Sequence, residues 1–180
     1  GAGIVVNKAS LDGINEITGA PTTASTTSSA VISTFFSISL STNLSGGINF
    51  GTISTIPATD VNATGNLNGS LNQTLYYITV STDSNTAVDF CQNASDFASG
   101  TNAIGVGNQS YSFSNVTNTQ TLPNFTSTTA FTTAYAAGQT GVVRNTNTTY
   151  RFLLDVPSAT PAGTYTNNVA FKGVATGAGC

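Results

Sequence analysis

Residues 148–156 read "TTYRFLLDV", and Pro157 follows. Tyr150, Phe152, Leu154 and Val156 fall at every second position, which is the period of an extended strand with one buried face. A buried helix would need apolar residues spaced three and four apart, and no window of about a dozen residues in the chain shows that spacing. Downstream, "SATPAGTYTNNVAFKGVAT" (158–176) reads as a turn on Pro161 and Gly163 that feeds a final strand with Tyr165, Val169 and Phe171 on one side. Upstream, "AVDFCQN" (87–93) carries Val88 and Phe90 beside Cys91, and "TLYYITVST" (74–82) puts Tyr76, Ile78 and Val80 on one face. "GGINFGTI" (46–53) repeats the pattern with Ile48 and Phe50. "VISTFFSISLS" (31–41) does so with Ile32, Thr34, Phe36, Ile38 and Leu40 against a mostly serine face. Residues 93–130, richest in Asn, Gly and Thr, read as loops around a short strand in "SYSFSNV" (110–116). Many short strands separated by Gly, Asn and Pro signals predict an all-β fold, an immunoglobulin-like β-sandwich with Greek-key-like connections.

Charge narrows the class of partner. Only 6% of residues are charged, and the four cations are Lys8, Arg144, Arg151 and Lys172. Without a basic stripe there is little counterion-release energy to gain on a phosphate backbone, so nucleic acid is not expected as a partner. The Ser, Thr and Asn surface does not titrate, which suits an acidic exterior: at roughly pH 2–3 most carboxylates are protonated, and this chain has few ion pairs to lose. An acidophile is the expected source. No stretch reaches the length of a membrane span and no charged-then-apolar leader is present, so the chain reads as already processed.

Cys91 and Cys180 sit mid-chain and at the last residue. In a chain without His they most simply form one disulfide; the alternative is two unpaired buried thiols. Nine N-x-S/T sequons, at Asn43, Asn62, Asn68, Asn72, Asn93, Asn108, Asn115, Asn124 and Asn147, exceed what an Asn- and Thr-rich composition alone explains. With the disulfide they point to an extracellular protein carrying N-linked glycans.

Strand edges without charge need cover. Residues 1–17, "GAGIVVNKASLDGINEI", include Ile4, Val5 and Val6, which are costly to leave in water. Residues 18–30, "TGAPTTASTTSSA", separate them from the domain at 31–180 and can extend to about 40–45 Å. The opening segment can therefore reach a neighbouring subunit as a donor strand across a Thr/Ser hinge, and head-to-tail donation propagates into a fibre. The competing readings are a first strand folded back into its own sandwich, or a frayed terminus.

The N-terminal strand, the Thr/Ser hinge, the sequon density and "VPSATPAGTYTNNVAF" (156–171) together resemble the archaeal thread filament subunits of the Sulfolobales. In style the chain is also similar to archaeal bundling pili and bacterial camelysin-like fibre proteins. The resemblance implies a cell-surface appendage of identical subunits in a helical homopolymer, joined by donor-strand complementation and linked to adhesion and biofilm. It makes Ile4, Val5 and Val6 groove-filling residues, the nine sequon Asn residues glycan sites and a cell-surface anchor a further partner.

No catalytic or metal site is expected. The absence of His removes imidazole triads and His-ligated metals. No motif surrounds Asp12, Glu16, Asp60, Asp83, Asp89, Asp96 or Asp155. "DSNTAVD" (83–89) lacks the regular alternation of a calcium loop, and a Lys–Asn cross-link through Lys8 or Lys172 has no identifiable partner. No cofactor is expected beyond glycans. The reading from a different class is a monomeric surface-layer or carbohydrate-binding module, using Tyr76, Tyr77, Tyr111 or Tyr135 as sugar platforms.

Overall fold

The protein is described from a computed structural model, which covers residues 23–67, 75–114, 125 and 127–180. The chain divides into two units, residues 1–33 and 34–180. Within the first, residues 23–33 belong to no helix or strand, and Val31 and Ile32 are 96% and 84% exposed. The second unit holds all the described elements. These are β1 (Ile38–Leu40), the single helical turn α1 (Thr42–Ser45), β2 (Ala58–Asn62), β3 (Tyr77–Val80), β4 (Val88–Ala94), β5 (Phe97–Ser99) and β6 (Asn102–Ile104). After a short 3-10 turn at Val106–Asn108 come β7 (Gln109–Ser114), β8 (Thr129–Ala130), β9 (Ala136–Ala137), β10 (Asn147–Val156) and β11 (Val169–Ala175).

β10, a strand where the alternation over 148–156 predicted one, is the centre of the larger sheet. It is antiparallel to β7 on one side. On the other it pairs first with β3, at Asn147–Thr149, and then with β2, from Leu153 onward; β1 and β8 complete the edges. Between those two partners the backbone of Phe152 has no strand opposite its N–H. The side chain of Asn66 fills the gap: its Oδ1 accepts from Phe152 N at 2.9 Å and its Nδ2 donates to Phe152 O at 2.7 Å. Asn66 is itself buried. Asn66→Leu should therefore cost about 1–3 kcal/mol, the penalty of an orphaned buried donor, read as a shift in the urea midpoint.

The second sheet runs β11–β4–β9, and β5 with β6 forms a separate hairpin. All these pairings are antiparallel. The two larger sheets share one core. Ile78, Val80, Tyr150 and Phe152 of the first meet Val88, Phe90 and Ala94 of the second, and Phe171 of β11 lies 5.5 Å from the Tyr150 ring and 6.3 Å from that of Phe152. The arrangement is a two-layered all-β fold with almost no helix.

Several sequence expectations need adjustment. The strand expected over 31–41 forms only at Ile38–Leu40. Phe35 and Ser37 do run beside β3's exit turn, where their carbonyls accept from Asn85 N and Ser81 N, but side chains take their N–H groups: Asn85 Oδ1 accepts from Phe35 N and Ser84 Oγ from Ser37 N. Residues 46–53 form no strand, although Ile48 and Phe50 still pack on the core as their parity implied. The stretch read as mostly loop carries β5, β6 and β8 in addition to β7.

Cys91 and Cys180 are disulfide-bonded, with their Cα atoms 5.7 Å apart. Polar ties hold the same tail. Asp89 Oδ1 accepts from Gly141 N (2.7 Å) and Thr176 Oγ1 (3.0 Å), and its Oδ2 accepts from Gly177 N (2.9 Å). The Gly177 and Gly141 amides hold the Asp89 carboxyl below its ordinary value of 3.8, with Thr176 adding to them against a partial desolvation. A carboxylate whose folded pKa is lowered contributes fully above the unfolded value and loses that contribution only as pH falls through the lower folded value. At pH 3.8, where an ordinary aspartate is half protonated, Asp89 should remain mostly ionised and the Gly177 amide protected. A carboxyl NMR titration that placed Asp89 at or above 3.8 would contradict this.

Candidate functional site

The edge strands β1 and β11 each have a neighbour on one side only, among the described residues. Asn168 O accepts from Ser95 N, Thr166 exchanges both bonds with Ala98, and Thr176 N reaches Ala87 O. These even-numbered residues all bond toward the β4 and β5 side. By strand alternation, the N–H and C=O groups of Tyr165, Asn167, Val169, Phe171 and Gly173 point to the other, free edge. The same reasoning applies to β1: Ser37 O and Ser41 N bond to the β3 side, so the backbone groups of Ile38 and Leu40 face outward.

These two free edges border one groove. It is closed at the end near Gly173, where a Cβ would stand 3.1 Å from Ile38 Cγ2 and 3.0 Å from Val88 Cγ1. Only glycine allows the two edges so close. Past Leu40 the rims separate, for local reasons on each side. The Ser41 hydroxyl accepts from Leu44 N and Tyr77 N and donates to Leu75 O, ending β1 and starting α1, so the chain leaves β3. On the opposite rim the 157–164 turn stays out of any ladder: Thr160 Oγ1 donates to Pro157 O at 2.8 Å, and the Tyr165 hydroxyl donates to Pro161 O at 2.9 Å.

Two cavities open along the groove. One, about 370 Å³, is bounded by Leu40, Leu44, Val169 and Phe171. The other, about 700 Å³, lies over Leu154, Val156 and Ile104, with Ile53 and Ile56 on its rim. Ile48, Phe97, Tyr165 and Thr166 line both, so the two are adjacent. Leu40 is 39% and Ile56 42% exposed, while Val169 and Phe171 are half-buried. Apolar side chains, and backbone groups that no described residue pairs, are complementary in one groove to an extended peptide with an apolar face. Apart from Lys172, β1 and β11 carry no charge that would block edge pairing. Lys172, on β11, is engaged elsewhere: its ammonium donates to Cys180 O at 2.9 Å and sits 4.4 Å from the Tyr135 ring centroid.

Ile4, Val5 and Val6 lie outside the described residues, as do the sequons Asn68, Asn72, Asn115 and Asn124. The other five sequons are spread over separate elements. Asn43 is in α1, and Asn62 in β2 accepts from Arg151 Nε and Nη2 at 3.3 and 3.2 Å. Asn93 in β4 donates to Thr133 O, and Asn108 at the end of the 3-10 turn donates to Gly105 O. Asn147 opens β10 and accepts from Thr79 Oγ1. None of these five lines either cavity.

Tyr76 and Tyr111, considered as sugar platforms, are each 1% exposed and belong to the core; Tyr77 is half-buried and Tyr135 lies beneath the Lys172 ammonium. Burial raises the pKa of Tyr111 and, far more, of Tyr150, whose hydroxyl donates to Gln92 Oε1 inside the core. Among the described residues no group of three or more His, Cys, Asp or Glu is placed to hold a metal ion, and no helix is long and apolar enough to cross a membrane. No protein-family model, curated protein or solved structure matches the chain.

Proposed function

We propose that the chain is the structural subunit of an extracellular, N-glycosylated filament, a pilus or thread supporting adhesion and biofilm formation. Each immunoglobulin-like, Greek-key-like domain receives residues 1–17 of the next subunit across the 18–30 hinge. The observation that supports the reading is the groove between β1 and β11, on both rims of which outward-facing backbone groups have no hydrogen-bond partner among the described residues. An inserted strand gains about 1.5–3 kcal/mol for each fully buried aliphatic side chain. Each net hydrogen bond adds about 0.5–1.5 kcal/mol before ordering costs. Head-to-tail use of two different surfaces leaves each added subunit with an open groove, so growth continues. Glycans on the five described sequons would leave the groove free, since none lines it. The disulfide is compatible with an oxidising exterior, and no catalytic role is assigned.

The test is electron microscopy and size analysis of the full chain beside a chain lacking residues 1–17. Filaments from the first and short species from the second are expected, with a synthetic 1–17 peptide stabilising the truncated subunit. Two equally stable monomers under assembly conditions would replace this reading with that of a monomeric surface module.

A further inference from the structure

The groove has two compartments, and the first seventeen residues carry a pattern that matches them. Lys8, Asp12 and Glu16 are the charged residues of 1–17, and all three stand at even positions. Successive side chains of an extended strand point to opposite faces. Extended, the segment therefore has one charged face and one uncharged face, with Val5, Ala9, Leu11 and Ile17 as the apolar residues of the uncharged one. Placing an unpartnered ammonium or carboxylate in an apolar cavity costs several kcal/mol. No acidic or basic side chain lines either cavity to offset that cost. Charge thus selects the face, and the compact Ile4–Val5–Val6 run cannot be inserted whole.

Spacing selects the anchors. Val5 and Leu11 are six residues apart, and so are Phe171 in the smaller cavity and Tyr165 on the wall shared with the larger. Six residues at strand rise span about 20 Å on either chain, so an antiparallel pairing that sets Val5 opposite Phe171 sets Leu11 opposite Tyr165. Antiparallel pairing is also the more stable per residue, and all the free-edge groups from Tyr165 to Phe171 have the same parity.

We infer that the donated strand runs antiparallel to β11 with its odd-numbered face inward, Val5 seated at Leu40, Val169 and Phe171, and Leu11 seated over Leu154 and Val156. This rests on the donor-strand reading above. It assigns Ile4 and Val6 to the outer face beside Lys8, and it makes Leu11, seven residues beyond Ile4, an anchor of the joint.

The test is an aspartate scan in the full-length chain, read as the concentration needed for filaments in sedimentation and electron microscopy. Val5→Asp and Leu11→Asp should each raise that concentration about a hundredfold or more, the equivalent of an unpaired charge forced into the groove. Val6→Asp and Ser10→Asp should change it little. Losses at Val6 and Ser10 with Val5 and Leu11 unaffected would reverse the face and overturn the inference while leaving strand donation intact. Losses confined to residues 5 and 6 would remove Leu11 as an anchor. No loss at any of the four positions would overturn strand donation itself. In filaments of a chain carrying both Leu11→Cys and Ile53→Cys, non-reducing gels should show a ladder of linked subunits; filaments without the ladder would contradict the seat given to Leu11.

Discussion

Phe152→Ala is expected to lower the unfolding free energy by about 3–5 kcal/mol, the range for removing a large aromatic ring from a core that cannot collapse around the space. Phe152 is fully buried in the middle of β10, and its ring touches partners from every side. Tyr76 lies edge-on at 5.4 Å, Tyr150 stacks at 5.9 Å, Phe131 stacks at 6.2 Å and Phe171 meets it at 6.3 Å from the second sheet. The surrounding backbone is held as well, by Asn66 and by the bond from Ala63 N to Phe152 O. Relaxation is thus restricted, which places the cost toward the upper end. Urea denaturation monitored by tyrosine fluorescence gives the number. Phe171→Ala serves as the comparison, because Phe171 is only half-buried at the groove and should cost clearly less. Equal losses at the two positions would mean that Phe152 is not the hub of this core.

The same two residues show how far the sequence could be read. The alternation of Tyr150, Phe152, Leu154 and Val156 located β10 as a strand, because the face turned to the core records that burial in its own residues; its central place, with Thr149 and Leu153 buried on the other face, was not encoded there. Tyr76, Ile78 and Val80 and the pair Val88 and Phe90 did so equally well, and all five are buried. Ile32 shows the opposite case. It has the right parity and an apolar side chain, yet it is 84% exposed and lies in no strand. A strand needs a partner ladder, and whether one exists depends on distant residues that local alternation does not encode. The groove was hidden for the same reason. Ile48 and Phe50 announced a buried face, but their separation from the β11 side follows from the hydroxyl of Ser41 bonding to Leu75 and Tyr77, residues more than thirty positions away. The signal that was present, a serine N-cap at Ser41 followed by Gly46 and Gly47, identifies a short helical turn and not the cleft that turn creates. The need to cover an uncharged edge was legible; that the edges of β1 and β11, among the described strands, border one groove required the fold.

Opening the Cys91–Cys180 bond is expected to have an effect of similar size through a different route. The bridge closes 89 residues of sequence, which in the chain-entropy account is worth about 4.5 kcal/mol of restriction on the unfolded chain. Cys180 is the last residue and exposed, so Cys180→Ser removes the bond without disturbing the core, whereas Cys91→Ser also places a hydroxyl at a fully buried site on β4 and should cost somewhat more. The other ties of the tail are weak substitutes. The Asp89 contacts and the bond from Lys172 Nζ to Cys180 O are exposed, and such contacts are individually worth little in water. Removing one of them by Asp89→Asn should therefore shift the urea midpoint far less than Cys180→Ser does. Reductant should move the wild-type midpoint to that of Cys180→Ser and leave the variant unchanged. A wild-type shift under about 1 kcal/mol would instead mean that the unfolded chain is already compact enough for the cross-link to restrict little. The larger shift is compatible with a secreted or extracellular protein, because stability would then depend on a bond that an oxidising environment preserves.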